Sequence, residues 1–363
     1  MRITVCSRFL FIACIIAWLL PGSPIFAQDF FKGPEPQPGS TYVHIISDHQ
    51  DSLSAQQIIE FRNPNGLPVW FARDFTKAVC LDEKCNMVNL RIYWDGAANY
   101  LKFEIPENYP LTKTDHSVFY TEDYQKLDLI LSDSGSILAN MEMEELIVKN
   151  TNEEKEGVDA VTAATKPALK DYLVRNAAYT CYTLWHTVYG PTRSKILSFL
   201  EQRADMNYLI TVFKSGKPGY ILWAIDFVEN HSQYQLMFQD SIVNQLTSKN
   251  EGVSKRAFEY FRVRRLSNQG IQEKIAIRFA YLNSDLQKEV IDEFSKLEFI
   301  INVSFLTLIE HYQNGQINAG TLRKICKLIQ PEERNDSSLI QKMESLSKDK
   351  NPFVRKISQN FLR

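Results

Sequence analysis

The spacing of hydrophobic and polar residues changes once along this chain. Between about Thr41 and Pro106 apolar and polar side chains alternate, as they do in half-buried strands. Tyr42-Val43-His44-Ile45-Ile46 is short and β-branched. Leu90-Arg91-Ile92-Tyr93-Trp94 and Tyr100-Leu101-Lys102-Phe103-Glu104-Ile105 flank the turn signal Asp95-Gly96, and Pro106 ends the second run, which predicts a hairpin. Beyond Pro106 the period becomes that of a helix. Thr121-Glu122-Asp123 opens a helix through about Leu131, with its acids at the favourable end of the dipole. Ser136 to about Val148 predicts a second helix on Leu138, Met141, Glu145 and Leu146. A long third helix is predicted from Thr165 to about Tyr189. Its stripe is Leu169, Tyr172, Leu173, Ala177, Cys181 and Leu184, and Gly190-Pro191 stops it.

From Thr192 to the end every segment reads as helix, broken by polar turns such as Ser215-Gly216-Lys217-Pro218-Gly219, Ser267-Asn268-Gln269-Gly270 and Gln313-Asn314-Gly315. Two stretches, from Glu251 to Phe261 and from Lys350 to Phe361, share a turn, an apolar residue, basic residues and an apolar helix. That order is similar to the start of a HEAT-like repeat, although its period is irregular. Short amphipathic helices of this kind bury a face only by stacking on neighbours. The expected fold is a small antiparallel sheet with helices, an α+β region over 28–190, followed by an all-α helical-repeat or bundle region over 191–363. A chain of 363 residues exceeds what one core usually organises, which agrees with two domains.

Residues 1–27 read as an export signal. Arg2 and Arg8 supply the charged start, Phe9 to Leu20 the apolar run, and Ala27 the small residue before a cut that leaves Gln28 first. The apolar run is short for a bilayer span, and no later stretch approaches one, so an exported, periplasmic or extracellular protein is expected. A net charge of −2 with no basic stripe argues against nucleic acid as a partner. In an oxidising compartment Cys80-Leu-Asp-Glu-Lys-Cys85 reads first as a local disulfide closing a hairpin. A metal site using these thiols with Met87 or a distant histidine is the alternative. Cys181 and Cys326 lie on apolar helix faces and read as buried thiols.

Chemistry concentrates in Asp159-Ala160-Val161-Thr162-Ala163-Ala164-Thr165, which follows the acidic run Glu153-Glu154-Lys155-Glu156-Gly157. The string resembles the flavin-attachment motif of the FMN-binding domain family: Asp, two residues, Ser or Thr, usually Gly, then Ala and Thr. The resemblance covers this segment alone, and Ala163 stands where the family usually has Gly. If that position requires a positive φ, alanine costs about 1 kcal/mol there. The resemblance implies FMN held as a phosphate ester on Thr165 by a flavin transferase, in a protein that carries electrons to a redox partner and is no turnover enzyme. Pro167 is welcome in a first helical turn, so Thr165 is expected to cap the long helix. A phosphate there would meet free N–H groups and the positive end of the helix dipole, with Lys166 adding charge. Thr162 offers a hydroxyl, small Ala164 leaves room, and Asp159 orients the segment or the transferred group.

Downstream, Tyr179, Tyr182 and His186 share a helix face in an unusually aromatic run. They either pack on a flavin ring or form an aromatic core against the hairpin. His116, after Lys113-Thr114-Asp115, reads as a loop residue. No Ser/His/Asp order, metal-spaced histidine pair or phosphate-cradling glycine loop is present, so a hydrolase or metal protein has only residue types behind it. A scaffold that binds another protein through the helical region, without cofactor, is the rival reading.

Overall fold

A computed structural model describes residues 30, 32–46, 57–77, 79, 87–106, 108–148, 164–165, 169, 172–262 and 265–363; of Ile147, Val148, Ala164 and Thr165 only the backbone is described. The chain forms two compact units, Met1–Ser198 and Phe199–Arg363.

The first unit is built on an antiparallel meander of β1 (Ser40–Ile45), β2 (Gln57–Arg62), β3 (Pro68–Lys77), β4 (Val88–Asp95) and β5 (Tyr100–Glu104), in that spatial order. Asn63 starts the β2–β3 turn. Its Oδ1 accepts from the backbone of Asn65 and Leu67 at 3.0 Å each, and Gly66 at φ +78° completes the bend. The β4–β5 turn begins at Asp95, as expected, but the residue forced into the left-handed region is Ala98, at φ +63°, and not Gly96. That conformation costs alanine about 1 kcal/mol. It is held by Asp95 Oδ1, which accepts from Ala97 and Asn99, and by Arg193, which donates to the Ala98 carbonyl at 3.0 Å.

Alternation along the strands gives the sheet two different faces. Ile58, Glu60, Phe71, Arg73, Phe75, Ile92 and Trp94 are all buried on one of them. This face is fixed to the helices that follow it in sequence: Trp94 Nε1 donates to the Val188 carbonyl at 2.9 Å, and Arg73 donates to Thr192 Oγ1 at 2.7 Å. Glu60, fully buried, is paired with His44 and Arg62, both at 2.7 Å. A buried carboxylate without such partners would be strongly destabilising. The other face stacks Phe61 on Trp70 and Trp70 edge-on to Tyr93. At the β5 edge the Phe30 carbonyl accepts from Ile105, and the Phe30 ring stacks on Phe103 and Tyr124.

α1 (Thr121–Ser132) falls where expected, with the Tyr120 N–H donating to Asp123 Oδ2 at 2.9 Å at its start. Tyr124, Leu127 and Leu131 form its buried stripe. The helix expected over 136–148 is absent. In its place are two 3-10 turns, Ile137–Asn140 and Met143–Leu146, and then β6 (Ile147–Val148). Leu138 and Leu146 are the buried residues of those turns, one each, which leaves no continuous apolar stripe to sustain a helix. β6 pairs with β7 (Ala164–Thr165). α2 (Ala178–Val188) follows, and the boundary between the units falls within α3 (Pro191–Arg203).

The second unit continues through α4 (Met206–Lys214), α5 (Pro218–Asn230), α6 (Ser232–Gln245), α7 (Glu251–Arg262), α8 (Gln269–Arg278), α9 (Ser284–Phe294), α10 (Asn302–Gln313), α11 (Ala319–Cys326), α12 (Ser337–Leu346) and α13 (Pro352–Phe361). Neighbours in sequence pack together, and so do alternate helices: α7 lies on α5 and α9, α10 on α8 and α12, and α13 on α11. The starts are set locally. Asn250, Asn268, Asn283, Asn318 and Asn351, with Asp205 and Asp336, each place a side-chain oxygen on an N–H of the first turn. Polar contacts between alternate helices span similar but unequal intervals. Lys274–Asp240, Arg278–Asn244 and Asn302–Asp336 each span 34 residues, Lys342–Glu310 spans 32, and Arg256 reaches Asp226 across 30 and Glu229 across 27. The fold class expected from the sequence, α+β followed by all-α, is the one the structure has.

Candidate functional site

The motif segment lies mostly outside the described residues: Asp159, Thr162 and Lys166 are beyond them, and so are Cys80 and Cys85 with their expected disulfide. The backbone of Ala164 and Thr165 is described, and it corrects the sequence reading. These residues are extended, with Thr165 opposite Ile147 and Ala164 opposite Val148 in an antiparallel pair. Thr165 does not cap the long helix expected from it, because α2 begins only at Ala178. Residues 172–177 are also outside any helix. The local signals for a longer helix lose to tertiary contacts. Asn176 takes the left-handed conformation at φ +57°, which no helix passes through. Its carbonyl accepts from the Thr114 backbone at 2.7 Å and the Thr114 hydroxyl at 2.9 Å, and its side chain donates to Asp115 at 3.0 Å.

α2 carries the aromatic run. Tyr179 is buried, while Tyr182 and His186 are half-buried with ring centroids 4.2 Å apart. His186 continues edge-on to Trp185 at 5.0 Å, and Trp185 meets Tyr189 at 4.7 Å. Three of these rings are fixed at polar atoms. His186 Nε2 lies 3.0 Å from the Leu138 carbonyl, Trp185 Nε1 donates to the Asp133 carbonyl at 2.9 Å, and the Tyr189 hydroxyl donates to the Leu131 carbonyl at 2.8 Å. The helix packs chiefly on α1 and the two 3-10 turns; the hairpin reaches it through Trp94. Burial pushes the Tyr182 hydroxyl up from its ordinary pKa, and the carboxylates of Glu142, Glu144 and Glu145 push the same way. These acids lie in or beside the 3-10 turn that packs on α2 and leads through Leu146 into β6, the partner strand of Thr165. Read as one helix, 136–148 would scatter these acids over different faces; their crowding in the sequence was the available signal.

The remaining candidates are structural. His116 is exposed at φ +62° in a turn. Its neighbour Asp115 is held down to about 2 by hydrogen bonds from Ser117 and Asn176, which makes it a loop fastener and no proton acceptor at neutral pH. Cys181 and Cys326 are free and buried, and burial pushes both thiols up to about 12, as expected for inert core cysteines. Among the described residues no cluster of three or more His, Cys, Asp or Glu is placed to hold a metal ion, and no helix is long and apolar enough to cross a membrane. Compared with known proteins, the chain matches no family model, no curated protein and no solved structure.

Proposed function

We propose that the chain is an exported flavoprotein. FMN is held as a phosphate ester on Thr165, electrons pass through it to a partner protein, and the HEAT-like helical unit supplies a docking surface. The observation that carries this reading is the string Asp159, Thr162, Ala164 and Thr165, all in register with the attachment motif and in a chain whose first 27 residues read as an export signal. A covalent tether suits that compartment, because free FMN would be lost by diffusion; the redox chemistry belongs to the cofactor, and the protein tunes and presents it. The pairing of β7 with β6 supports the reading in a second way, since it gives the Thr165 backbone a fixed neighbour. Thr162 and Lys166 are the side chains to receive the phosphate.

Coexpression with a flavin transferase, FAD and Mg²⁺ tests it. The peptide containing Thr165 should gain the mass of one FMN, and the protein should be yellow. Thr165→Ala should abolish attachment and leave the fold in place, because β7 pairs through main-chain atoms; Thr165→Ser should retain part of it. An unmodified peptide from cells that contain the transferase sinks the reading. A cofactor-free scaffold would then stand first. The stacking of alternate helices favours that second reading, as does the apolar pair Leu236 and Met237 exposed on α6.

A further inference from the structure

We infer that Tyr182 and His186 form the surface on which the isoalloxazine ring of a flavin held at Thr165 stacks, with Glu142, Glu144 and Glu145 setting the charge at its edge. This rests on the reading of Thr165 as the attachment residue. The first argument is placement. Thr165 is opposite Ile147, two residues after Glu145. Opposed residues of an antiparallel pair lie only about 5 Å apart. The same acidic turn packs on α2, the helix that carries Tyr182 and His186. Strand, acidic turn and aromatic helix are thus successive neighbours within one unit, and the extended polyol arm of FMN is suited to reach from one to the next.

The second argument is the state of the rings. Trp185 is buried, and it is tied to the Asp133 carbonyl. Tyr182 and His186 remain half-exposed, already form an aromatic pair, and hold their position because His186 is fixed at the Leu138 carbonyl. Among the described residues the Tyr182 hydroxyl has no hydrogen-bond partner, unlike that of Tyr189. A half-open aromatic pair can take a flat heteroaromatic ring, against one ring at a time because the two planes are inclined by 44°. The three carboxylates then have a definite electrical effect. An electron added to the ring gains negative charge beside negative charge, so they lower the flavin's reduction potential.

The test uses the full-length flavinylated protein and two independent readouts. Attachment is scored by peptide mass in every variant. An unmodified Thr165 in the wild-type protein overturns the attachment reading and this inference together. With attachment intact, the Tyr182 ring should quench flavin fluorescence: the excited flavin takes one electron from the phenol and returns it in the dark, with no net oxidation. Tyr182→Phe, which keeps the ring and the packing, should lengthen the fluorescence lifetime, and Tyr182→Leu should lengthen it further. Neutralising the edge with Glu142→Gln, Glu144→Gln and Glu145→Gln together should raise the midpoint potential, while Glu201→Gln on α3 should leave it unchanged. If Tyr182→Phe and the triple variant are both fully flavinylated and show the wild-type lifetime and potential, the ring lies elsewhere and the inference is wrong.

Discussion

In the first unit Trp94 donates to a carbonyl 94 residues away, and Arg73 to a hydroxyl 119 residues away. In the second unit the polar contacts between alternate helices span only 27 to 35 residues. Both units bury large aromatic side chains, yet they close differently. The sheet and α2 complete each other: Val188 lies in the last turn of α2, where carbonyls lack helical partners, and the Trp94 indole satisfies one of them. The helical unit adds one short element on another, each held by its neighbours. Long-range closure makes the first unit behave as one body and allows chain segments distant in sequence to meet, as 142–148, 164–165 and 178–188 do around the candidate site. Stacking makes the second unit a sum of neighbouring terms, which favours an extended surface over a pocket.

Paired core truncations are the strongest way to break this contrast. Trp94→Ala and Phe258→Ala each delete a fully buried ring, and each should cost about 3–5 kcal/mol. Trp94→Ala also strands the Val188 carbonyl. The pattern of amide hydrogen exchange should separate them: Trp94→Ala should lower protection throughout β2–β5 and α2, whereas Phe258→Ala should lower it in α5, α7 and α9 and spare α13. Equal spread in both variants would mean that the second unit is as cooperative as the first.

The caps give a smaller and sharper measure. Asn268→Ala and Asn318→Ala each remove a side-chain acceptor that receives a first-turn N–H, at 3.2 and 2.9 Å, and each should cost about 1 kcal/mol in denaturant unfolding. The sites belong to different helix pairs, so the double variant should lose the sum; a marked shortfall or excess would show coupling beyond nearest neighbours.

The smallest effect lies in the loop that closes onto α2. The carboxyl of Asp115 is lowered in the folded protein from 3.8 to about 2, first by Ser117 and then by Asn176. A lowered folded pKa gives a contribution that is complete above the unfolded value and is lost as pH falls through the folded one. The Asn176 side-chain amide resonances should therefore be constant above pH 4 and move only as the pH approaches 2. In Asp115→Asn they should stay flat across that range. A midpoint near 4 in the wild-type protein would show that the tether contributes nothing.

The hairpin, α1 and the run of helices after Thr192 were legible because each is decided within its own few residues. Period-2 alternation on either side of Asp95-Gly96, acids at a helix start, and polar turns between apolar stripes need no distant partner. The Asn and Asp caps are equally local. The site was legible only as a motif. Its setting was misread because Thr165 before Lys166-Pro167 satisfies the local rules for a helix start, while the backbone at Thr165 pairs instead with Ile147, and Asn176 interrupts the chain to meet Thr114 and Asp115. The stacking of alternate helices was hidden in the sequence for a related reason. It is carried by unlike pairs at unequal intervals, an ion pair in one place and an amide with a carboxylate in another, so neither identity nor spacing repeats strictly.

By itself the sequence determined the order of sheet and helices, where most helices begin, and which cysteines are buried. The tertiary structure alone decided that Thr165 lies in a strand, that the acidic turn before β6 packs on α2, and that Ala98 bends where Gly96 was expected. The physical reason is range. Propensity and capping act over a turn and are worth about 1 kcal/mol each, and they yield wherever a segment gains more from burial and hydrogen bonds with residues far along the chain.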